Sequence, residues 1–375
     1  MECVYRKISG KNKMEQDERL KNIRTEISSL DEQILKLLNR RAGLSLKVGG
    51  IKSRSRDNVF KPFREKEILN GLASKNDGPL PENHLRNIYR EIFSSSRSLQ
   101  QPQKVVYLGP EGTFSFFAGV EYLGHSADFT PRDSLEDVFR AVDMLEAELG
   151  VIPLENSMQG SVGQSLDMFL KFEVFIHAEV YLRISHFLLS RESELFRIKK
   201  IYSHPQALQQ CAGWLRANLP GVEVIPDEST AAAAARAAQE KGTAVVGHKK
   251  LTRFYELNVL GSYIEDLPDN WTRFLVISSH PPEAGNREKT SLLFTVVDKP
   301  GSLVSALQVL SGKGINMRKL ESRPMRAEKW RYVFFADVEC DLTAQEYTSV
   351  LSELEESCHF LRILGSYPHG PQIMG

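Results

Sequence analysis

Cysteine is scarce in this sequence: Cys3, Cys211, Cys340 and Cys358 lie far apart in 375 residues and form no Cys-x-x-Cys pair. That spacing excludes a disulfide framework and a cysteine-based zinc site, and fits free thiols in a reducing compartment. An excess of one charge is also missing, because 48 Lys and Arg residues balance 48 Asp and Glu. No global field draws the chain to nucleic acid or to an anionic membrane surface, so any anion must be bound by local groups. No apolar run approaches the length of a membrane span, and residues 1–19 carry no signal-peptide core, so a cytoplasmic location is expected. A Gly-x-Gly-x-x-Gly turn for a dinucleotide is absent, and no metal or cofactor is expected. What remains is a chain with 41% hydrophobic residues, long enough for two or three domains.

Three textures follow one another. Apolar residues recur at steps of three and four, at Leu20, Ile23, Ile27, Leu30, Ile34, Leu37, Leu44, Val48 and Ile51, the pattern of a long coiled-coil helix. More helix is expected over residues 62–73 and 83–99, so residues 15–101 read as an all-α domain. After the polar linker 100–103, strand and helix signals alternate through residues 104–280, which predicts a two-lobed α/β domain around a cleft. Its helices are expected at 134–148, 161–172, 206–218 and 229–241, and strands at 104–108, 149–154, 222–225 and 244–246. A second linker, 280–288, contains Pro281, Pro282 and Gly285. The tail, residues 289–368, reads strand, helix, strand, strand (331–338), helix, strand, the ferredoxin-like α+β order.

In the first helix Arg41 occupies a seam position where the heptad asks for an apolar residue. A buried arginine must pair with a carboxylate or bind an anion, and the helix alone leaves both open. Arg24 and Lys52 share a heptad position but stand about 42 Å apart at a rise of about 1.5 Å per residue, whereas Arg41 and Lys52 are about 16 Å apart. The latter two can reach towards one small ligand; Arg24 can join it only from an antiparallel second chain. If all three act, the domain is an intertwined helical dimer. Gly49 and Gly50 sit inside this helix, each at a cost of about 1 kcal/mol relative to alanine.

Together with Pro62-Phe63-Arg64-Glu65, Ser96 and Gln100, these cations give residues 15–101 a resemblance to the all-helical chorismate mutases. The resemblance implies that Arg24, Arg41, Lys52, Arg64, Glu65, Ser96 and Gln100 bind chorismate, with one arginine supplied by the other subunit. It also implies that Lys52 and Gln100 contact the ether oxygen whose bond breaks. Such a rearrangement needs no nucleophile, only conformational restriction and stabilisation of the oxygen that gains charge.

In the α/β segment several expected strand ends are followed by glycine or small hydroxyl residues opening a helix, where unpaired N–H groups favour anions. Singly these are ordinary caps; converging at strand C-termini they make a cleft suited to a small dianion. The strings 109–115 (Gly-Pro-Glu-Gly-Thr-Phe-Ser), 153–157 (Pro-Leu-Glu-Asn-Ser), 203–211 (Ser-His-Pro-Gln-Ala-Leu-Gln-Gln-Cys) and 270–274 (Asn-Trp-Thr-Arg-Phe) resemble prephenate dehydratase, periplasmic-binding-protein-like in its two lobes. The resemblance implies a decarboxylating dehydration of prephenate to phenylpyruvate, with the Thr272 hydroxyl helping the ring hydroxide leave and Asn156 and Gln210 orienting the substrate. Thr113, Ser115, Glu155, Ser157, Ser203, Ser229, Thr230 and Arg273 are the further substrate residues it implies. A neutral threonine is a poor acid and must act within a hydrogen-bonded network. A second Thr-Arg-Phe begins at Thr252, on an expected helix, and is set aside; Cys211 and His204 are read as structural.

Gly301-Ser302-Leu303-Val304 and Glu321-Ser322-Arg323-Pro324 give the tail a resemblance to ACT domains of the phenylalanine branch. That implies L-phenylalanine as effector between paired domains, near Gly301, Ser302, Leu303, Val304, Asn316, Glu321 and Ser322, in a homodimer or larger homo-oligomer. A dimerisation module without ligand is the alternative. The two-lobed layout also suits a solute-binding protein, but the helical domain fused to it argues against that. Dehydratases preferring arogenate share the same motifs.

Overall fold

The computed structural model describes residues 2–52, 60–283, 285, 287–324 and 332–374, with the side chains of the first helix described from Gln16 to Ile51. Contacts divide the chain into two units, Met1–Val59 with Ser95–Gln101, and Phe60–Ser94 with Pro102–Gly375.

The first unit is built on α1 (Glu2–Lys52), an unbroken helix. Its apolar seam is uncovered by its own chain: Leu30 and Leu37 are 51% and 63% exposed. Two helices follow, α2 (Pro62–Ala73), opened by a proline that needs no N–H partner there, and α3 (Glu82–Gln100), whose last turn belongs to the first unit. Gly49 is buried where α1 meets that turn. A Cβ on Gly49 would lie 2.9 Å from Gln100 Cα, so glycine lets the two backbones touch.

In the second unit the chain lays down β1 (Lys104–Leu108), β2 (Asp128–Arg132), β3 (Leu149–Asn156), β4 (Gly160–Ser161) and β5 (Phe175–Arg183). It then crosses to a second lobe with β6 (Phe187–Ser190), β7 (Lys200–Ser203), β8 (Glu223–Pro226), β9 (Thr243–Gly247) and β10 (Asn258–Ser262), and returns with β11 (Trp271–Ser278). The tail supplies β12 (Lys289–Thr295), β13 (Met317–Pro324), β14 (Tyr332–Val338), β15 (Phe360–Tyr367) and β16 (Gln372–Ile373). The first sheet runs β16-β5-β11-β3-β1-β2 with β4 beside β3, the second β10-β6-β9-β7-β8, and the third β13-β14-β12-β15. The third is antiparallel and carries helices Ser302–Gly312 and Thr348–Ser357, the βαββαβ order read from the sequence. Arg331, expected to open its third strand, lies outside the described residues.

Burial explains the order. β1 and β3 are continuous apolar runs because helices cover both faces of the first sheet. One of its cores joins Phe139, Ile152 and Phe169 to Leu293, Phe335 and Tyr367 of the tail. The tail therefore shares a core with the first sheet. Glycines allow the contact: a Cβ on Gly365 or Gly370 would lie 2.1 or 2.0 Å from backbone oxygens of β5. The helix expected over 206–218 is two helices, Pro205–Gln210 and Ala212–Asn218, because the Asp266 carboxylate accepts from the N–H groups of Gly213 and Trp214 and starts the second.

Candidate active sites

β3 and β11 are antiparallel, with Asn156 opposite Thr272. The Asn156 carbonyl oxygen accepts from the N–H groups of Met158 (3.0 Å) and Gln159 (3.2 Å), which fixes the amide. Its Nδ2 then donates to Thr272 Oγ1 at 2.9 Å and to Asn270 Oδ1 at 2.7 Å. Thr272 donates to no acceptor among the described residues, so its proton is available to a ligand. An oxygen that already accepts a hydrogen bond is a better donor, which answers the weakness of a lone threonine. Asn270 was not among the expected site residues; its place two before Thr272 was the available signal. Ser157 ties the same loop, its Oγ accepting from Trp271 N at 2.9 Å.

The second lobe contributes Gln210, whose Oε1 lies 2.8 Å from His186 Nε2 while its own Nε2 has no acceptor among the described residues. Burial lowers the His186 pKa, so the ring is neutral and donates from Nε2 to that oxygen. Ser229 caps helix Thr230–Ala237, its Oγ accepting from Ala232 N, and Thr230 is buried behind it. Thr113 donates to Leu108 O at 3.2 Å and Ser115 is buried in the helix that follows. Gln206 Nε2 donates to Gln159 Oε1 at 2.7 Å, joining the second lobe to the loop after Asn156. Thr252 sits on helix Leu251–Tyr255, away from any strand pair, and donates to Lys249 O. Burial pushes the Cys211 thiol far above its ordinary range.

Three expected substrate residues face elsewhere. Ser203 is fully buried and spends its hydroxyl on Val246 O. Arg273 and Glu155 are paired across β11 and β3 next to the Thr272 and Asn156 pair, and successive strand residues face opposite sides. Arg273 thus points to the tail, bonding Glu179 (2.7 Å), Asp337 and the Tyr367 hydroxyl (3.0 Å). Burial alone would raise the Glu179 carboxyl, yet His369, Arg273 and Lys289 hold it far below the usual carboxylate range. Glu155 pairs with Lys319 of the tail at 3.1 Å.

In the helical unit Arg41 donates through Nη1 to Ser96 Oγ, and Gln100 Nε2 donates to Ser96 O at 3.1 Å, so three of the expected residues share one place. Arg24 is exposed, about 26 Å along the helix from Arg41. Arg64 and Glu65 lie on α2 in the other contact unit, and the Lys52 side chain lies outside the described residues. In the tail, Gly301 opens helix Ser302–Gly312 at φ 87°, a left-handed conformation that favours glycine. Val304 and Asn316 are exposed and Ser302 and Leu303 half-buried. Glu321 alternates away from Ser322 and pairs with Lys319 at 3.2 Å. Among the described residues no group of three or more His, Cys, Asp or Glu side chains is placed to hold a metal ion, and no helix is long and apolar enough to cross a membrane.

Residues 23–101 match the chorismate mutase type II family, 105–282 the prephenate dehydratase family and 290–356 the ACT domain family. A bifunctional chorismate mutase/prephenate dehydratase of Aquifex aeolicus strain VF5 is 43% identical over 355 residues, covering 94% of this chain and 98% of that one. The chain belongs to the bifunctional chorismate mutase/prephenate dehydratase family. As a member it is an enzyme with mutase, dehydratase and ACT domains in one chain. A solved prephenate dehydratase of Arthrobacter aurescens in complex with L-Phe is 30% identical, with a TM-score of 0.66 over 71% of this chain and 90% of that one. A quorum-quenching acylase is similar at 29% identity and a TM-score of 0.65, over 72% of this chain and 98% of that one.

Proposed function

We propose that this chain rearranges chorismate to prephenate and converts prephenate to phenylpyruvate, under feedback by L-phenylalanine. The observation that carries the dehydratase reading is the locked Asn156 amide donating to Thr272 Oγ1. In the reaction the electron pair of the bond to the departing carboxylate enters the ring, and the bond to the ring hydroxyl leaves with its own pair, taking a proton as water. Thr272, oriented by Asn156, assists that departure, while Gln210, Ser157, Thr113, Ser115, Ser229 and Thr230 hold the substrate. Arg41, Ser96 and Gln100 hold chorismate in the mutase, with Lys52 of the same helix and Arg24 of a second chain; Arg64 and Glu65 are the further chorismate residues that the resemblance implies. The exposed α1 seam supports that homodimer. L-phenylalanine is the effector, a reading supported by the relative solved in complex with L-Phe, and Gly301, Ser302, Leu303, Val304, Asn316 and Ser322 are the residues that the resemblance to ACT domains implies for it. Free Cys211, Cys340 and Cys358 fit a cytoplasmic location.

The test feeds purified chain chorismate and then prephenate and follows phenylpyruvate with and without L-phenylalanine. Thr272→Ala should lower dehydratase kcat by about two orders of magnitude, whereas Thr252→Ala should leave it unchanged. Equal behaviour of the two variants would remove Thr272 from the mechanism, and a wild type that forms no phenylpyruvate would remove the reaction.

A further inference from the structure

The face of the β3 and β11 pair opposite Asn156 and Thr272 presents a second pair, Glu155 and Arg273. Facing it is another cross-strand pair, Lys319 and Asp337, on neighbouring strands β13 and β14 of the C-terminal sheet. The charges are complementary in both positions: Lys319 Nζ lies 3.1 Å from Glu155 Oε1, and Arg273 Nη1 donates to Asp337. Each partner is itself fixed. Lys319 is held by Glu321 at 3.2 Å and by the Ser161 hydroxyl on β4, and Asp337 accepts from Ser291 on β12. The Arg273, Asp337 and Lys319 side chains are each at most 9% exposed. Charges so removed from water stay in place only with their partners, which makes the contact directional in a way an apolar one is not. Arg323 adds a bond from the same edge strand to Asp167, at 3.1 and 3.2 Å.

We propose that Lys319 and Asp337 of the C-terminal domain are positioning residues of the dehydratase, clamping Glu155 and Arg273 and so fixing the register and orientation of Asn156 and Thr272 on the other face. The clamp rests on the dehydratase reading above, and it gives the C-terminal domain a part in turnover in the absence of any effector. Displacing a reacting hydroxyl by a fraction of an ångström slows chemistry more than it weakens binding, so the effect belongs in kcat.

The experiment uses the full chain and prephenate without L-phenylalanine. Lys319→Gln should lower kcat about tenfold with KM within about twofold of the wild type, and Lys319→Arg, which keeps the charge, should stay within about threefold. Lys319→Glu should be slower still, and combining it with Glu155→Lys should recover most of that loss, a rescue that simple domain glue does not predict. A Lys319→Gln enzyme with wild-type kcat, or a double variant no faster than Lys319→Glu alone, overturns the clamp. Should Lys319→Gln fail to fold, the comparison of Lys319→Glu with the double variant decides. A wild type inactive on prephenate sinks the dehydratase reading instead, so the two failures are separable.

Discussion

Thr272 and Arg273 are neighbours with opposite duties because a strand turns successive side chains to opposite faces. The motif that contains both is legible in the sequence; the division of labour is not, since it depends on which face the tail covers. His177 on β5 shows what burial does to a single group. Its Nε2 donates to His280 O at 2.6 Å, and desolvation pushes its pKa from 6.5 down to about 4. The folded value is below the unfolded one, so between these pH values the unfolded chain binds more protons. Stability is therefore fully present above pH 6.5 and is lost as pH falls towards 4. From pH 7 to 4.5 this one group should cost about 2 kcal/mol. Urea unfolding at both pH values should show the wild type losing that much more than His177→Gln, which keeps a donor for His280 but does not titrate. Equal losses would mean that the ring takes up its proton in the folded state.

At the scale of elements, two adjacent glycines in α1 differ by their neighbours. Among the described residues nothing lies within 4 Å of a Cβ on Gly50, whereas one on Gly49 would meet the Gln100 backbone. Gly50→Ala should add about 1 kcal/mol by helix propensity. Gly49→Ala gains the same amount but overpacks the contact by about 1–3 kcal/mol, displacing the turn that carries Ser96 and Gln100. Its expected result is a lower melting temperature than Gly50→Ala and about tenfold slower chorismate turnover. Equal gains in both variants would show that α1 and α3 part without cost. The α1 seam was readable because its period is local, while the reason for Gly49 lies in a helix far along the chain. The break at Cys211 was hidden in the same way, its cause being Asp266. β5 escaped sequence reading because His177 and Glu179 interrupt its apolar run, and the groups that neutralise Glu179 come from β11 and β12. β16 is two residues long and takes its place from β5 rather than from any pattern of its own.

At the scale of the whole molecule, the question is how many chains make one mutase site. Arg24 and Arg41 lie about 26 Å apart along one unbroken helix, beyond the span of a ligand of about ten heavy-atom bonds. The stripe between them is apolar and half exposed, with Ile27, Leu30, Ile34 and Leu37 all at least 51% accessible. An antiparallel second α1 would cover that stripe and bring its own Arg24 to this chain's Arg41, and two-fold symmetry would make two equivalent sites. Arg24→Ala and Arg41→Ala should each abolish chorismate turnover while leaving the dehydratase active on added prephenate. In a mixed dimer of the two variants one site regains both arginines and the other loses both. Random exchange makes half of the dimers mixed, so refolding the two chains together should restore about a quarter of wild-type mutase activity. Verified mixed dimers with no activity would assign both arginines to sites within one chain, and full activity in either single variant would remove that arginine from the site.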